Sequence, residues 1–540
     1  MIEYNKIKTN VAIIGGGLTG TIAAMEIAKS GVSVTVIRDG RGASPHVAGF
    51  NVAGVEGKDS IDIFVKDSLK SANGQADIEL VKLLCNGSAE IPEYLKAIGF
   101  MFDTDDTGAL KARKSLGSSF ARVVGKGNSS GADILSIIDK NLKQCDNVKI
   151  LERSRALRLF EENGHVTGVL IYEKSSNCFT VIESPCVLLA SGGYAGIFPF
   201  TSNPKDISGD TVAMALFAGA HVTDMEFVQF EPSCAVWPES IRGKGMITTL
   251  FYEGAVLTNA LGERFMLQHS SNAERVNKDV LAKAIARELR NGRGTEHGGV
   301  WFDASGVDDK RLLSAYAPFV ERYRNVGIDI LSQPVEVANA AHTSLGGVKV
   351  NSHCETDVLG LYAAGEAIGN LHGANRIGGS AGTEALVFSR YAAKAILKRK
   401  EHFCPAVTEK EVEKILLQNS DNLLSAECVE EMTAKTKEIL ERYLGVEREG
   451  EGLSFAVAEL EQLFIKANNS SFGSTKKELF KKLSLQNLLI TALALAKSAL
   501  LRDDSVGSHL RIDKEALPQK KYRTDASFVD NTISVSKIYQ

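Results

Sequence analysis

Residues 11–37 read VAIIGGGLTG, TIAAMEIAKSG and VSVTVI, an apolar strand, a glycine turn opening a helix, and a second strand. No other stretch limits the fold as tightly, because strand, turn, helix and strand in that order make a βαβ unit and hence a parallel sheet. Gly15, Gly17 and Gly20 form GxGxxG. In that motif the tight turn, the approach of backbone to a pyrophosphate and the helix–strand packing each require a missing side chain. The helix N-terminus then faces the phosphates. The acid expected at the end of the second strand, to bind ribose hydroxyls, falls on Arg38, with Asp39 one position later. Either Asp39 serves through a shifted turn or the ribose is held otherwise.

Two further segments bear on which dinucleotide is bound. VLLASGG at 187–193 reads as a buried strand ending in small residues, and VLGLYAAGE at 358–366 as another ending at Glu366. Strands so far apart in sequence, ending in glycine and acid, suit one long cofactor lying across a sheet. No second GxGxxG follows a mid-chain strand, which favours FAD as the sole dinucleotide.

The rest of the chain excludes several classes. At 540 residues and 44% hydrophobic content it is long enough for two or three domains with substantial cores. Its 62 basic and 66 acidic residues give a net charge of −4 without a basic block, so nucleic acid is not an expected partner. The polar start MIEYNKIKTN lacks the apolar core of a secretory signal, and a cytoplasmic protein is expected. The most apolar late stretch, Leu483 to Leu501, carries Gln486, Asn487 and Lys497. It reads as a core helix, so no membrane segment is expected. The 8 cysteines form no CxxC pair, so no metal, iron–sulfur or haem site is expected. From about Glu401 the pattern becomes amphipathic-helical, and from roughly Lys520 a polar tail is expected to run partly extended over the surface.

Longer runs carry a resemblance. ASGGYAGIFPFTSNPKDISGDTVAMALFAGAHVTDMEFVQFEPS at 190–233, EGAVLTNALGERFM at 253–266, AAHTSLGGV at 340–348, GLYAAGEAIGNLHGANRIGGSAGTEALVFSR at 360–390 and DDSVGSHLR at 503–511 resemble the succinate dehydrogenase and fumarate reductase flavoprotein superfamily, to which L-aspartate oxidase also belongs. The resemblance covers nearly the whole chain in order. It implies an α/β fold in which a Rossmann-like FAD-binding domain at 1–228 and 341–402 carries an inserted α+β capping domain at 229–340, followed by a C-terminal helical domain at 403–520 and a tail at 521–540. It also implies that substrate lies between flavin and cap, and that hydride moves between the flavin N5 and a carbon beside a carboxylate.

The resemblance assigns roles residue by residue. Ser44, Gly49, Asp210 and Glu366 join Gly15, Gly17, Gly20 and Asp39 as residues toward the cofactor. The backbone N–H groups of Ala381 and Gly382, opening an apolar helix, stand to stabilise negative charge on the flavin pyrimidine. His342 and Arg376 match the ligands of a substrate carboxylate, with Ser344 close by, and arginine's planar fork suits that task. Lys278 stands where the family has a proton-donating arginine, an acid without the fork.

Other positions depart from the family. Glu231 replaces a histidine that binds a carboxylate, Thr248 and Thr249 replace Thr-Glu before a shortened loop, and Phe50 and Asn51 replace paired glycines. His46 falls one residue from the position of covalent flavin attachment in some relatives, so FAD is expected to be non-covalent. These departures suggest a small carboxylate substrate anchored by His342 and Arg376, with a far end that is neutral, hydrogen-bonding or cationic toward Glu231. The leading expectation is a 2-enoate reductase or the reverse dehydrogenase. The alternatives are an amino-acid oxidase like L-aspartate oxidase and a flavoprotein component of a larger complex, served by a separate electron donor or iron–sulfur partner.

Overall fold

Val11–Ile14 is the middle strand of a five-stranded parallel sheet. On one side lie Val34–Arg38 and Val148–Glu152, on the other Cys186–Leu189 and Leu361–Ala363. The architecture is that of a computed structural model, which describes residues 3–127, 129–246, 248–399, 406–416, 423–472, 475–514 and 521–539. Both faces of a parallel sheet are covered, which is why VAII, VTVI and CVLL are continuous apolar runs. Strand order reverses at Val11–Ile14, and the crevice beyond the carboxyl ends at such a reversal is where doubly wound sheets bind ligands. Val187 pairs with Leu361, so the nucleotide domain is completed by a strand that returns after the whole cap has been inserted.

The cap is an antiparallel sheet in the order Val228–Ala235, Val335–Ser344, Val300–Asp303, Val256–Thr258. Its helix Lys278–Arg290 buries Leu281 and Ile285 in a separate apolar core with Phe251, Phe302 and Tyr323. The strand Val335–Ser344 runs four residues past the expected boundary at 340, so His342 and Ser344 sit on a cap strand.

Among the described residues the C-terminal helical region contains Glu409–Leu416, Ala426–Tyr443, Gly450–Asn468 and Lys476–Leu501. The last is long and apolar enough to cross a membrane, but 78% of its most apolar window is buried in the protein. Its polar residues are held from within: Lys482 donates to Ser470 O at 2.9 Å, and Arg158 reaches both Gln486 and Asn487. The expected boundary at 402/403 and the expected start of a tail at Lys520 lie outside the described residues.

The expected surface tail is corrected. Tyr522–Val529 and Thr532–Tyr539 form a hairpin whose first strand pairs with Val222–Thr223, burying Tyr522, Ala526 and Ile533. The turn is Asp530–Asn531, both at positive φ (49° and 60°), a pair that suits the two-residue turn joining twisted strands. The alternation in TISVSKIY reads as a half-buried strand once that turn is recognised.

Candidate active site

The cavity at the strand-order reversal is lined by Gly15–Gly17, Asp39, Ser44, Asp210, Glu366 and Ala381. Gly15 has φ +133°, and a Cβ there would fall 2.1 Å from Ala190 O; one on Gly20 would fall 2.1 Å from Gly15 O. Neither position tolerates a side chain, as a backbone cradle for a pyrophosphate requires. Ser44 Oγ accepts from the N–H of Leu18, the first residue of the helix Leu18–Ala28. A second helix, Ser380–Lys398, brings Ala381 to the same cavity, so two positive helix ends converge on it.

Arg38 is turned away, donating to Glu152 at 2.6 Å and to Asp139 at 3.2 Å, and Asp39 is the acid at the cavity wall, bound by Lys174 Nζ at 2.6 Å. Asp210 lines the cavity while its carboxylate is held by Arg155 at 2.7 Å and Asn487 at 2.8 Å. Burial, with Glu384 nearby, raises the Glu366 carboxyl to about 7. The cradle, the two helix ends and the wall acids together fit a long dinucleotide.

Gly49 and Gly382 act by close approach. A Cβ on Gly382 would fall 2.8 Å from Phe50 and 2.9 Å from Gly49 O, so the helix start is seated on the short strand Phe50–Asn51 and the residue before it. Asn51 is buried there and donates to Gly378 O at 2.8 Å and Ser380 Oγ at 2.9 Å. The residues standing in place of paired glycines therefore clamp the turn ahead of the helix. His46 is exposed and does not line the cavity.

At the junction with the cap, four chain segments bring charged groups together. Lys278, the first residue of its helix, forms an ion pair with Glu231 Oε2, and that oxygen lies 3.9 Å from His342 Nε2. Ser202 Oγ lies 2.7 Å from His342 Nδ1 and fixes the ring. Burial, then Lys278 and Arg376, hold the His342 pKa well below its ordinary value, so the ring is neutral near pH 7. Its side chain keeps 34% of its surface accessible, so the ring is open to a ligand. Arg376 is buried and held by Thr343 Oγ1 at 3.2 Å and Ile377 O at 3.3 Å. Its Nε has no partner among the described residues. Burial lowers its pKa, while Glu366, Glu384 and Glu231 act to keep the charge.

Three further residues expected at the substrate, Ser344, Thr248 and Thr249, have the following neighbours. Ser344 donates to Glu366 at 3.2 Å and accepts from Tyr194 N at 3.0 Å, so it supports the cofactor wall. Thr248 and Thr249 begin the turn Thr248–Tyr252, where Thr249 meets Tyr316, whose hydroxyl donates to Glu253 at 2.7 Å. That turn belongs to the cap's own packing. Sequence reasoning missed Ser202, Thr343 and Gln229, which donates to Asn375 at 2.8 Å and to Arg376 O at 3.1 Å. Their types are ordinary for structural positions, and only proximity reveals them.

Known proteins share both the sequence pattern and the fold. Residues 10–381 match the model of the FAD binding domain family and 433–539 that of the fumarate reductase flavoprotein C-terminal region. The chain is 31% identical over 536 residues to one of the subunits of the fumarate reductase (CoM/CoB) of Methanothermobacter marburgensis, covering 96% of this chain and 97% of the relative. It is 32% identical to L-aspartate oxidase of Saccharolobus solfataricus over 507 residues, 93% and 96% of the two chains. Among solved structures, the flavoprotein FrdA of E. coli quinol fumarate reductase shares its fold with a TM-score of 0.91 at 22% identity, covering 99% of this chain and 97% of that one.

Proposed function

The chain belongs to the fumarate reductase, succinate dehydrogenase and L-aspartate oxidase family of FAD-dependent oxidoreductases, and from that premise we propose that it reduces the C=C bond of a 2-enoate, or runs the reverse oxidation. The observation that carries this reading is the cluster of buried Glu231 and Arg376 with the partly buried Lys278 and His342 at the junction between the cap and the nucleotide domain. Bound FAD supplies hydride transfer; the side chains bind, polarise and protonate.

Arg376, fixed by Thr343 and with Nε unpaired among the described residues, has the fork and the charge to hold a carboxylate and draw electron density toward it. His342, neutral and with Nδ1 engaged by Ser202, adds a hydrogen bond from Nε2 when the serine is the donor. Lys278, aligned by Glu231, supplies the proton to the carbon that becomes electron-rich as the bond is reduced. The exposure of His46 supports non-covalent FAD.

The test is anaerobic: reduce the purified protein chemically and follow flavin reoxidation by fumarate and a panel of monocarboxylic enoates. Rapid reoxidation by an enoate supports the proposal, and indifference to all of them sinks it. The relatives named L-aspartate oxidase support a second reading, amino-acid oxidation, whose mark is hydrogen peroxide formed in air with an amino acid. The Methanothermobacter relative, being one component of a larger enzyme, supports a separate electron-transfer partner such as an iron–sulfur protein, tested by copurification from the native source.

A further inference from the structure

Glu231 is 6% exposed, and its two oxygens are used differently. Oε2 receives Lys278, while Oε1 is buried with no hydrogen-bond partner among the described residues. Gln229, two residues earlier on the same strand, repeats the pattern: its Nε2 is spent on Asn375 and Arg376 O, and its Oε1 is buried and likewise unpaired. On the Arg376 side the unpaired atom is a donor, Nε. Buried polar atoms left without partners are costly, so a ligand that completes them gains the difference. The cluster thus asks for an acceptor at Arg376 and a donor at Glu231.

Charge narrows the choice. Arg376 offers its positive charge with Glu366 and Glu384 also facing it, while at the other end Lys278 is already paired with Glu231 and His342 is neutral, so no free cation stands there for a second carboxylate. A second carboxylate would lie against the free oxygen of Glu231, where like charges repel in a poorly solvated site. A cationic donor would lie beside the Lys278 ammonium, which already neutralises that carboxylate.

Resting on the reading that Arg376 anchors a carboxylate, we infer that the substrate is a monocarboxylate whose far end carries a neutral hydrogen-bond donor, a primary amide or a hydroxyl, received by Glu231 Oε1.

The test is calorimetric binding of unreactive saturated acids to the oxidised FAD-loaded protein. Succinamate offers an amide donor, monomethyl succinate the same length without a donor, succinate a second charge, 4-aminobutanoate an ammonium, and butanoate the carboxylate alone. Succinamate is expected to bind at least about tenfold more tightly than each of the other four. Equal binding of all five, or a preference for succinate or 4-aminobutanoate, overturns the inference while leaving the carboxylate anchor in place. Binding by none of them removes the anchor and the inference together. In Glu231→Gln the loss of a negative charge is expected to raise succinate affinity about tenfold and erase the preference for succinamate over succinate; unchanged selectivity in a folded variant also overturns the inference.

Discussion

Lys278 and Glu231 form an ion pair between the first residue of the cap helix Lys278–Arg290 and the cap strand Val228–Ala235, with side chains only 13% and 8% exposed. A cation at a helix N-terminus opposes the helix dipole. Glu231 offsets that opposition and aims the ammonium, so the pair holds an acid where the helix alone would disfavour one.

Lys278→Met removes the proposed proton donor but keeps the stem. Its kcat for enoate reduction is expected to fall by about 10²-fold or more, with FAD content and ligand affinity near wild type. Steady-state kinetics beside calorimetric ligand binding checks this, and an unchanged kcat rules Lys278 out as the acid.

Arg376→Lys keeps the charge and loses the fork. Carboxylate affinity is expected to weaken by about 2 kcal/mol, roughly thirtyfold, read as a rise in Kd for a saturated acid. A change of less than about threefold means that the carboxylate is held elsewhere.

Gly15→Ala places a Cβ 2.1 Å from Ala190 O at φ +133°. The variant is expected to purify with little or no FAD and to lose about 2 kcal/mol or more of stability, measured by flavin absorbance per chain and by thermal melting. Full flavin content would show that the turn shifts to accept the methyl group.

His509 is fully buried, with Arg448 Nη1 2.7 Å from its Nδ1, and burial followed by Arg448 and Arg502 holds its pKa well below the ordinary 6.5. The unfolded chain therefore takes up a proton that the folded chain refuses. The stabilisation is complete above about pH 6.5 and is lost as pH falls below it, by at most ~1.4 kcal/mol per unit for this group until the folded pKa is reached. His342 acts in the same direction. Denaturant melts between pH 7.5 and 5 are expected to show this slope, and His509→Gln to reduce it; an unaltered slope removes His509 as its source.

Much of the nucleotide site was legible because it depends on local backbone. Gly15, Gly17 and Gly20 announce a cradle through the absence of side chains, and the runs VAII, VTVI and CVLL announce a sheet covered on both faces. The closing hairpin was not legible from polarity alone, since its polar residues alternate with Ile533 and Val535, and the information lay in the Asp530–Asn531 turn.

The sequence by itself determined the class of cofactor, through motifs whose spacing is read along the chain, and its resemblance to the flavoprotein family implied the inserted cap and the residue types available to the chemistry. Only the tertiary structure decided their partners. Glu231 and Lys278 are 47 residues apart and could each have been solvated, and Ser344 beside a substrate motif turned out to brace Glu366. The physical reason is that a charge or a hydroxyl takes its role from what lies within hydrogen-bond reach after burial, and that neighbourhood is set by the docking of cap on sheet.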